Sequence, residues 1–524
     1  MAIHLSNNEL PEQWVISKLP EFTHVVMGQS PSSETYNYDG IGLPFFQGKA
    51  EFGEIHPTIN KYCSLPNKVA NEGATLLSVR APVGPTNLAN TRCCIGRGLA
   101  AIHPMGGMDP KFILLLFRSI ELNLSGEGAG STFSAITKAY VDDLKFAIPP
   151  LNEQKRIVAK IEELFSELDN GIAALKTARE QLKVYRQAVL KHAFEGKLTA
   201  KWREENANKL ESPEQLLARI QQERGARYQQ QLEEWEAAVK AWEANGKEGK
   251  RPGKPKALNT YSEVPPTEYP YQLPQGWFWQ HLGALITGID QGWSPKCENI
   301  PANSASWGVI KTTAVQHGVF NDRENKALPE DLVPREQHEL KVGDILVTRA
   351  GPRVRVGVCC LVKKVREKLM NCDKVYRIRA LENICQPEYL ETVLNSPMIL
   401  DVLESVKSGI NDSGVNLNQS AFLDMLIPYC PTNEQSELIS KIDESFSVIN
   451  NQQEAIETAI KQAETLRQSI LKKAFSGQLV PQDPNDEPAS ELLARIQAEK
   501  TAQRASAHPK LKATAKKKGK EVKA

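Results

Sequence analysis

The chain has 524 residues, too many for one ordinary core, and its length predicts three or four domain-sized units. Its 64 Lys and Arg against 63 Asp and Glu leave a formal charge of +1; this neither favours nor excludes a polyanionic partner, which needs only a local positive face. The chain does not open on a basic start followed by an apolar run, and the longest apolar stretch, Phe112 to Phe117, is far too short to span a bilayer, which predicts a soluble, cytoplasmic protein.

In chain order, residues 11 to 148 are rich in Gly, Pro and short apolar runs such as Thr75 to Val79, the pattern of an α+β domain with many short strands. After Pro150 apolar residues recur at spacings of three and four: Ile157, Ile161, Leu164, Leu168, Leu175, Ala178, Leu182, Tyr185 and Val189. That is a narrow seam of coiled-coil type, and a helix carrying it needs a helical partner. Asn152 is the expected cap. The helix runs through Gly171, whose cost of about 1 kcal/mol is outweighed by roughly 1.5 to 3 kcal/mol for each buried Leu or Ile beside it. It weakens near Gly196, giving about 40 residues and a rod roughly 60 Å long.

Residues 201 to 269 are polar, with a predicted helix from Pro213 to Ala244 and a soluble linker, K-E-G-K-R-P-G-K-P-K, from Lys247 to Lys256. Residues 274 to 428 repeat the α+β pattern, with a run at Asp344 to Thr348. Nine cysteines are scattered without a C-x-x-C pair, so no zinc site is seeded. Cys359 and Cys360 lie in the apolar run Val356 to Val362 and predict a packed strand. A second seam follows through Leu438, Ile442, Ile449, Ile456, Ala459, Ala463, Leu466 and Ile470, ending near Gly477. The last residues, with Lys516, Lys517 and Lys518, read as a disordered, solvated basic tail.

The two helical segments are copies. P-L-N-E-Q-K-R-I-V-A-K-I-E-E-L-F at Pro150 returns as P-T-N-E-Q-S-E-L-I-S-K-I-D-E-S-F at Pro431, and R-Q-A-V-L-K-H-A-F-E-G-K-L at Arg186 as R-Q-S-I-L-K-K-A-F-S-G-Q-L at Arg467. The offset is a constant 281, and 22 of 49 aligned positions are identical, which makes the match an internal duplication. L-L-A-R-I-Q at Leu216 recurs at Leu492, while P-E-Q-W at Pro11 echoes P-Q-G-W at Pro274 and G-Q-S-P at Gly28 echoes G-W-S-P at Gly292. The two large units are therefore diverged copies of one fold.

Residues for covalent chemistry are not apparent. Gly42 to Lys49 has the wrong spacing for a phosphate-binding loop and ends in Ala50. Ile148-Pro149-Pro150-Leu151 lacks the polar residue and the aromatic of an amino-methyltransferase loop and reads as a helix-entry turn. The nine histidines show no ligand spacing. Asp142 and Asp143 are adjacent, and on a strand would face opposite ways.

A globular domain, a long helix opening P-x-N-E-Q, a second globular domain and a second such helix together resemble the specificity subunits of type I restriction-modification enzymes over nearly the whole chain. Pro150, Asn152, Glu153 and Gln154, then Pro431, Asn433, Glu434 and Gln435, carry the resemblance. Arg186 to Leu198 with Arg467 to Leu479, and the segments from Gly28, Leu43 and Trp307, add to it. The resemblance implies an α+β architecture: target recognition domains at 1–149 and 271–429, spacer helices at 150–200 and 430–482 packing as an antiparallel coiled coil, a polar helical insert and basic linker at 201–270, and a short helix with a tail at 483–524. It implies that each recognition domain reads one half of a bipartite, asymmetric double-stranded DNA target. It further implies that the helices set the gap and dock two modification (methyltransferase) subunits, and that restriction subunits complete the enzyme. The chain would hold no cofactor, S-adenosylmethionine, ATP and Mg belonging to the partners. The longer insert and the tail depart from the common plan. A non-catalytic coiled-coil scaffold that does not read DNA, and an enzyme with an unfamiliar site, stay open as alternatives.

Base reading wants donors and acceptors on loops. In the first domain the candidates are Gln29, Ser30, Ser32, Gln47, Lys49, Arg80, Arg92 and Arg97; in the second they are Gln291, Trp293, Lys311, Thr312, Arg349, Arg353 and Arg355. Alternation places Arg353 and Arg355 on one face of a strand after the Gly351-Pro352 break.

Overall fold

The computed structural model describes residues 10–125, 135–255, 257, 259–261, 263–409 and 411–507; Lys516, Lys517 and Lys518 lie outside them. The chain divides into two units, Met1–Thr177 with Ile456–Ala524, and Ala178–Ala455. Each contains one globular domain and a part of both long helices.

In the first unit, strands β1 (Thr23–Met27), β2 (Leu43–Phe46), β3 (Thr75–Ser78), β4 (Thr86–Leu88), β5 (Cys93–Ile95) and β6 (Leu99–Pro104) carry the fold. An antiparallel sheet has the order β1-β6-β3-β4, and β2 pairs with β5 in parallel. The helix Pro110–Ser119 is started by Asp109, which accepts from the Lys111 N–H, and by Pro110 at its first position. It buries Phe112 to Phe117: the longest apolar run in the sequence is a core helix. Val15–Lys18 pairs antiparallel with Lys145–Ile148, the strand that leads through Pro149 and Pro150 into the long helix.

The second unit repeats this plan with β7 (Ile286–Gln291), β8 (Gly308–Ile310), β9 (Ile345–Thr348), β10 (Cys359–Leu361), β11 (Leu369–Met370) and β12 (Val375–Ala380). Its sheet order is β7-β12-β9-β10, β8 pairs with β11 in parallel, and Phe278–His281 pairs with Leu426–Tyr429 before the second long helix. Cys359 and Cys360 are on a buried strand as expected, and burial pushes the Cys93, Cys94 and Cys360 thiols up to about 12.

The long helices span Leu151–Phe194 and Thr432–Ala474, and Gly171 is helical, as its low cost predicts. In the first unit Ile157 and Ile161 share a core with Ile470, Leu471 and Ala474, and Arg467 lies over Phe165 and pairs with Asp169. In the second unit Leu438 and Ile442 share a core with Leu190, Ala193 and Phe194, and Arg186 lies over Phe446 and bonds Asn450. Within each unit the two helices therefore run antiparallel. Two seam residues depart from expectation: Tyr185 is 55% and Leu466 48% exposed, because a two-helix packing covers only a narrow stripe. Gly171 also faces solvent, with open space where a Cβ would stand.

Asn152 does not cap the first helix. The helix begins at Leu151, the Gln154 N–H bonds the Pro150 carbonyl, and the Asn152 side chain bonds Asp486. Gln154 donates to the Pro149 carbonyl, and its counterpart Gln435 to that of Cys430. Asp142 and Asp143 end a short helix, not a strand; they pair with Lys138 and Lys18.

The insert helix, Pro213–Ala244, has the predicted bounds and opens on a Ser212/Gln215 capping box. Leu216 and Ile220 enter the second core, while Leu492 and Ile496 of the helix Ala489–Ala507 enter the first. The described part of the Lys247–Lys256 run folds back along the insert helix: the Pro252 carbonyl accepts from Trp235 Nε1, and Lys254 lies over the Trp235 ring.

Candidate nucleic-acid interface

In the first domain the ends of β2 and β3 and the turn between β5 and β6 surround a concavity of about 220 Å³, lined by Gln47, Lys49, Arg80 and Arg97 together with Gly48, Ser78, Ala81 and Gly98. Four of the eight first-domain candidates thus converge. Among the described residues, the side chains of Lys49, Arg80 and Arg97 have no hydrogen-bonding or ion-pairing partner. Three unneutralised cations beside an exposed amide make a site for an anion-bearing ligand that also offers base-edge donors and acceptors.

Glycine shapes the floor. A Cβ at Gly98 would stand 2.3 Å from the Gln47 carbonyl oxygen, and one at Gly28 would stand 2.1 Å from that of Gly96, so the turn closes onto its neighbours only without side chains. The remaining candidates lie elsewhere or serve the fold. Gln29, Ser32 and Arg92 are exposed outside the concavity. The Ser30 hydroxyl accepts from the Arg97 N–H at 3.2 Å, which holds the turn that presents Arg97.

The second domain builds the same place. Gln29 N–H donates to the Ile95 carbonyl at 3.1 Å, and Trp293 N–H to that of Asn371 at 3.1 Å. Val79 N–H bonds the Gly98 carbonyl as Arg349 N–H bonds that of Lys374. Ser294 accepts from the Asp373 N–H at 3.2 Å, as Ser30 does from Arg97. By strand register Gln47 corresponds to Lys311 and Phe46 to Ile310.

The second-domain candidates are more heavily engaged. Lys311 pairs with Glu324 at 3.7 Å, and Arg335 stacks 4.2 Å over Trp293. Arg349 donates to the Asp373 carbonyl and faces the Tyr376 ring. Thr312 opens a short 3-10 turn, and Gln291 ends β7 half-buried. Arg353 and Arg355 are not on a strand. Residues 353 to 357 form turns after Pro352, Arg353 pairs with Glu404 and Asp412, and Arg355 donates to the Thr312 and Val315 carbonyls. Carbonyls that strand pairing leaves over take up the Arg355 guanidinium and tie two loops together. Sequence reasoning missed Ser294 and Asp373; the paired G-x-S-P segments, extended by strand register, were the signal.

Residues 11–177 match the family described as the type I restriction modification DNA specificity domain. The type I restriction enzyme EcoEI specificity subunit of Escherichia coli is 41% identical over 208 residues, 40% of this chain and 35% of that protein. The putative MjaX specificity subunit of Methanocaldococcus jannaschii is 37% identical over 37% of this chain and 45% of its own length. The chain therefore matches less than half of either relative. Against the EcoKI specificity subunit of Escherichia coli (strain K12), the match is 24% identical but covers 95% of this chain and 98% of the relative.

Residues 11–177 carry the type I restriction modification DNA specificity domain. A solved structure titled for the complex assembly and conformational transition of the type I R-M system shares the fold, with a TM-score of 0.58 over 90% of this chain and 99% of that one, at 17% identity. The concavity lies inside the matched segment. Among the described residues, no helix is long and apolar enough to cross a membrane.

Proposed function

We propose that this chain is the non-catalytic, DNA-reading subunit of a type I restriction-modification complex, with one recognition domain for each half of a bipartite, asymmetric target. The observation that carries the reading is the duplicated sheet order, β1-β6-β3-β4 and β7-β12-β9-β10, whose equivalent loops bear different side chains. One scaffold with two sets of readers recognises two unrelated half-sites.

In this reading the long helices set the gap between half-sites and dock two modification subunits, which supply S-adenosylmethionine, while restriction subunits supply ATP and Mg chemistry. This chain holds no cofactor and works in the cytoplasm. The test is methylome sequencing of cells expressing the chain with its modification subunits. Adenine methylation at one bipartite motif, lost when this chain is omitted, is the expected result. Methylation without it, or no sequence-selective duplex binding by the complex, overturns the reading.

A further inference from the structure

The two domains carry opposite charges at one equivalent place on the reading surface. Arg97 and Asp373 each follow the second strand of a parallel pair, β5 and β11. Each presents its N–H to the serine of a G-x-S-P segment at 3.2 Å, and each precedes the residue whose carbonyl accepts from the end of β3 or β9. Three backbone registers coincide at this turn, so the two side chains leave the same point of the fold.

Their surroundings differ. Arg97 is exposed, without a hydrogen-bonding or ion-pairing partner among the described residues, beside Gln47, Lys49 and Arg80. Asp373 has the Ser294 hydroxyl on one carboxylate oxygen, and its own backbone carbonyl takes the Arg349 guanidinium. Since a carboxylate has about four lone-pair sites, Asp373 keeps acceptors for a further donor.

A carboxylate on a DNA-facing rim repels phosphates, so it aids binding only where it accepts from a base. Of the base edges in the major groove, cytosine offers N4–H₂ to an acid, whereas guanine offers O6 and N7 to an arginine.

Resting on the DNA-reading function above, we propose that this turn reads one G·C pair in each half-site, with opposite polarity: Arg97 donates to guanine O6 and N7, and Asp373 accepts from cytosine N4. Each residue determines specificity at one position of its own half-site.

The test uses the full chain assembled with its modification subunits and a pool of random-sequence DNA duplexes, sequenced after selection. Arg97→Ala is expected to lower the preference for guanine at one position of one half-site by roughly five- to a hundredfold, leaving the other half unchanged. Asp373→Asn is expected to move one position of the other half from cytosine towards adenine, because an amide pairs with adenine N6 and N7. Should Asp373→Asn fail to assemble, Asp373→Ser is read instead, with loss of the cytosine preference expected. Unchanged preferences with uniformly weaker binding would mean that these side chains hold phosphate or the fold, and would overturn the proposal while leaving the DNA-reading function intact. A wild-type complex that enriches no sequence would overturn that function itself.

Discussion

Glu153 and Glu434 occupy the same place in the repeated N-E-Q and are both fully buried. Glu153 accepts from Trp14 Nε1 and Gln482, and Glu434 from Thr199 and Arg203. The motif thus fastens the segment that follows one helix to the start of the other. Burial holds the Glu153 carboxyl above its ordinary range even with two donors on it. Removing Arg203 strands a buried carboxylate, so Arg203→Ala should destabilise the second unit by about 3 kcal/mol, read as faster amide exchange in residues 195–220. Gly196 and Gly477 are also equivalent, at φ of 70° and 75°, with Pro274 and Pro11 where a Cβ would stand. Gly196→Ala or Gly477→Ala should each cost about 1 to 2 kcal/mol or more, seen as a lower Tm. Burial lifts Glu391 to about 7. The folded chain therefore binds that proton more tightly than the unfolded chain, and the stability this contributes below about pH 4.5 is lost as pH rises to 7. Glu391→Gln should flatten the fall in Tm across that window; an equally steep fall in the variant would refute the assignment.

The long helices were legible because a helical seam is local: spacings of three and four, a proline before and a glycine after mark their bounds within a few residues. Which seam positions are covered was less legible. Tyr185 and Leu466 fit the spacing yet lie half-exposed, since cover depends on the facing helix. The contacts of Arg186 with Phe446 and of Arg467 with Phe165 are one contact made twice, once in each unit. Each arginine over its ring should be worth about 0.5 to 2 kcal/mol. A double-mutant cycle on Arg186 and Phe446 checks the figure, and zero coupling would show the stacking to be incidental.

At the scale of the molecule, the reading of the helices as a ruler gives a numerical expectation. Adding one turn to both helices, about four residues and about 6 Å, should lengthen the unread gap between half-sites by about two base pairs at about 3.4 Å each. Methylome mapping of the lengthened protein reads the gap directly, and an unaltered gap would dismiss the ruler.

Duplication, two long helices and two strand-rich domains were determined by the sequence alone, because identity at a constant offset and apolar periodicity are properties of neighbouring residues. Tertiary structure alone decided that Arg97 meets Gln47, Lys49 and Arg80, that Arg355 is spent on carbonyls, and that Asp373 stands where Arg97 does. Those facts depend on which strands pair and in what register, and pairing joins residues far apart in the chain through backbone hydrogen bonds that no local pattern records.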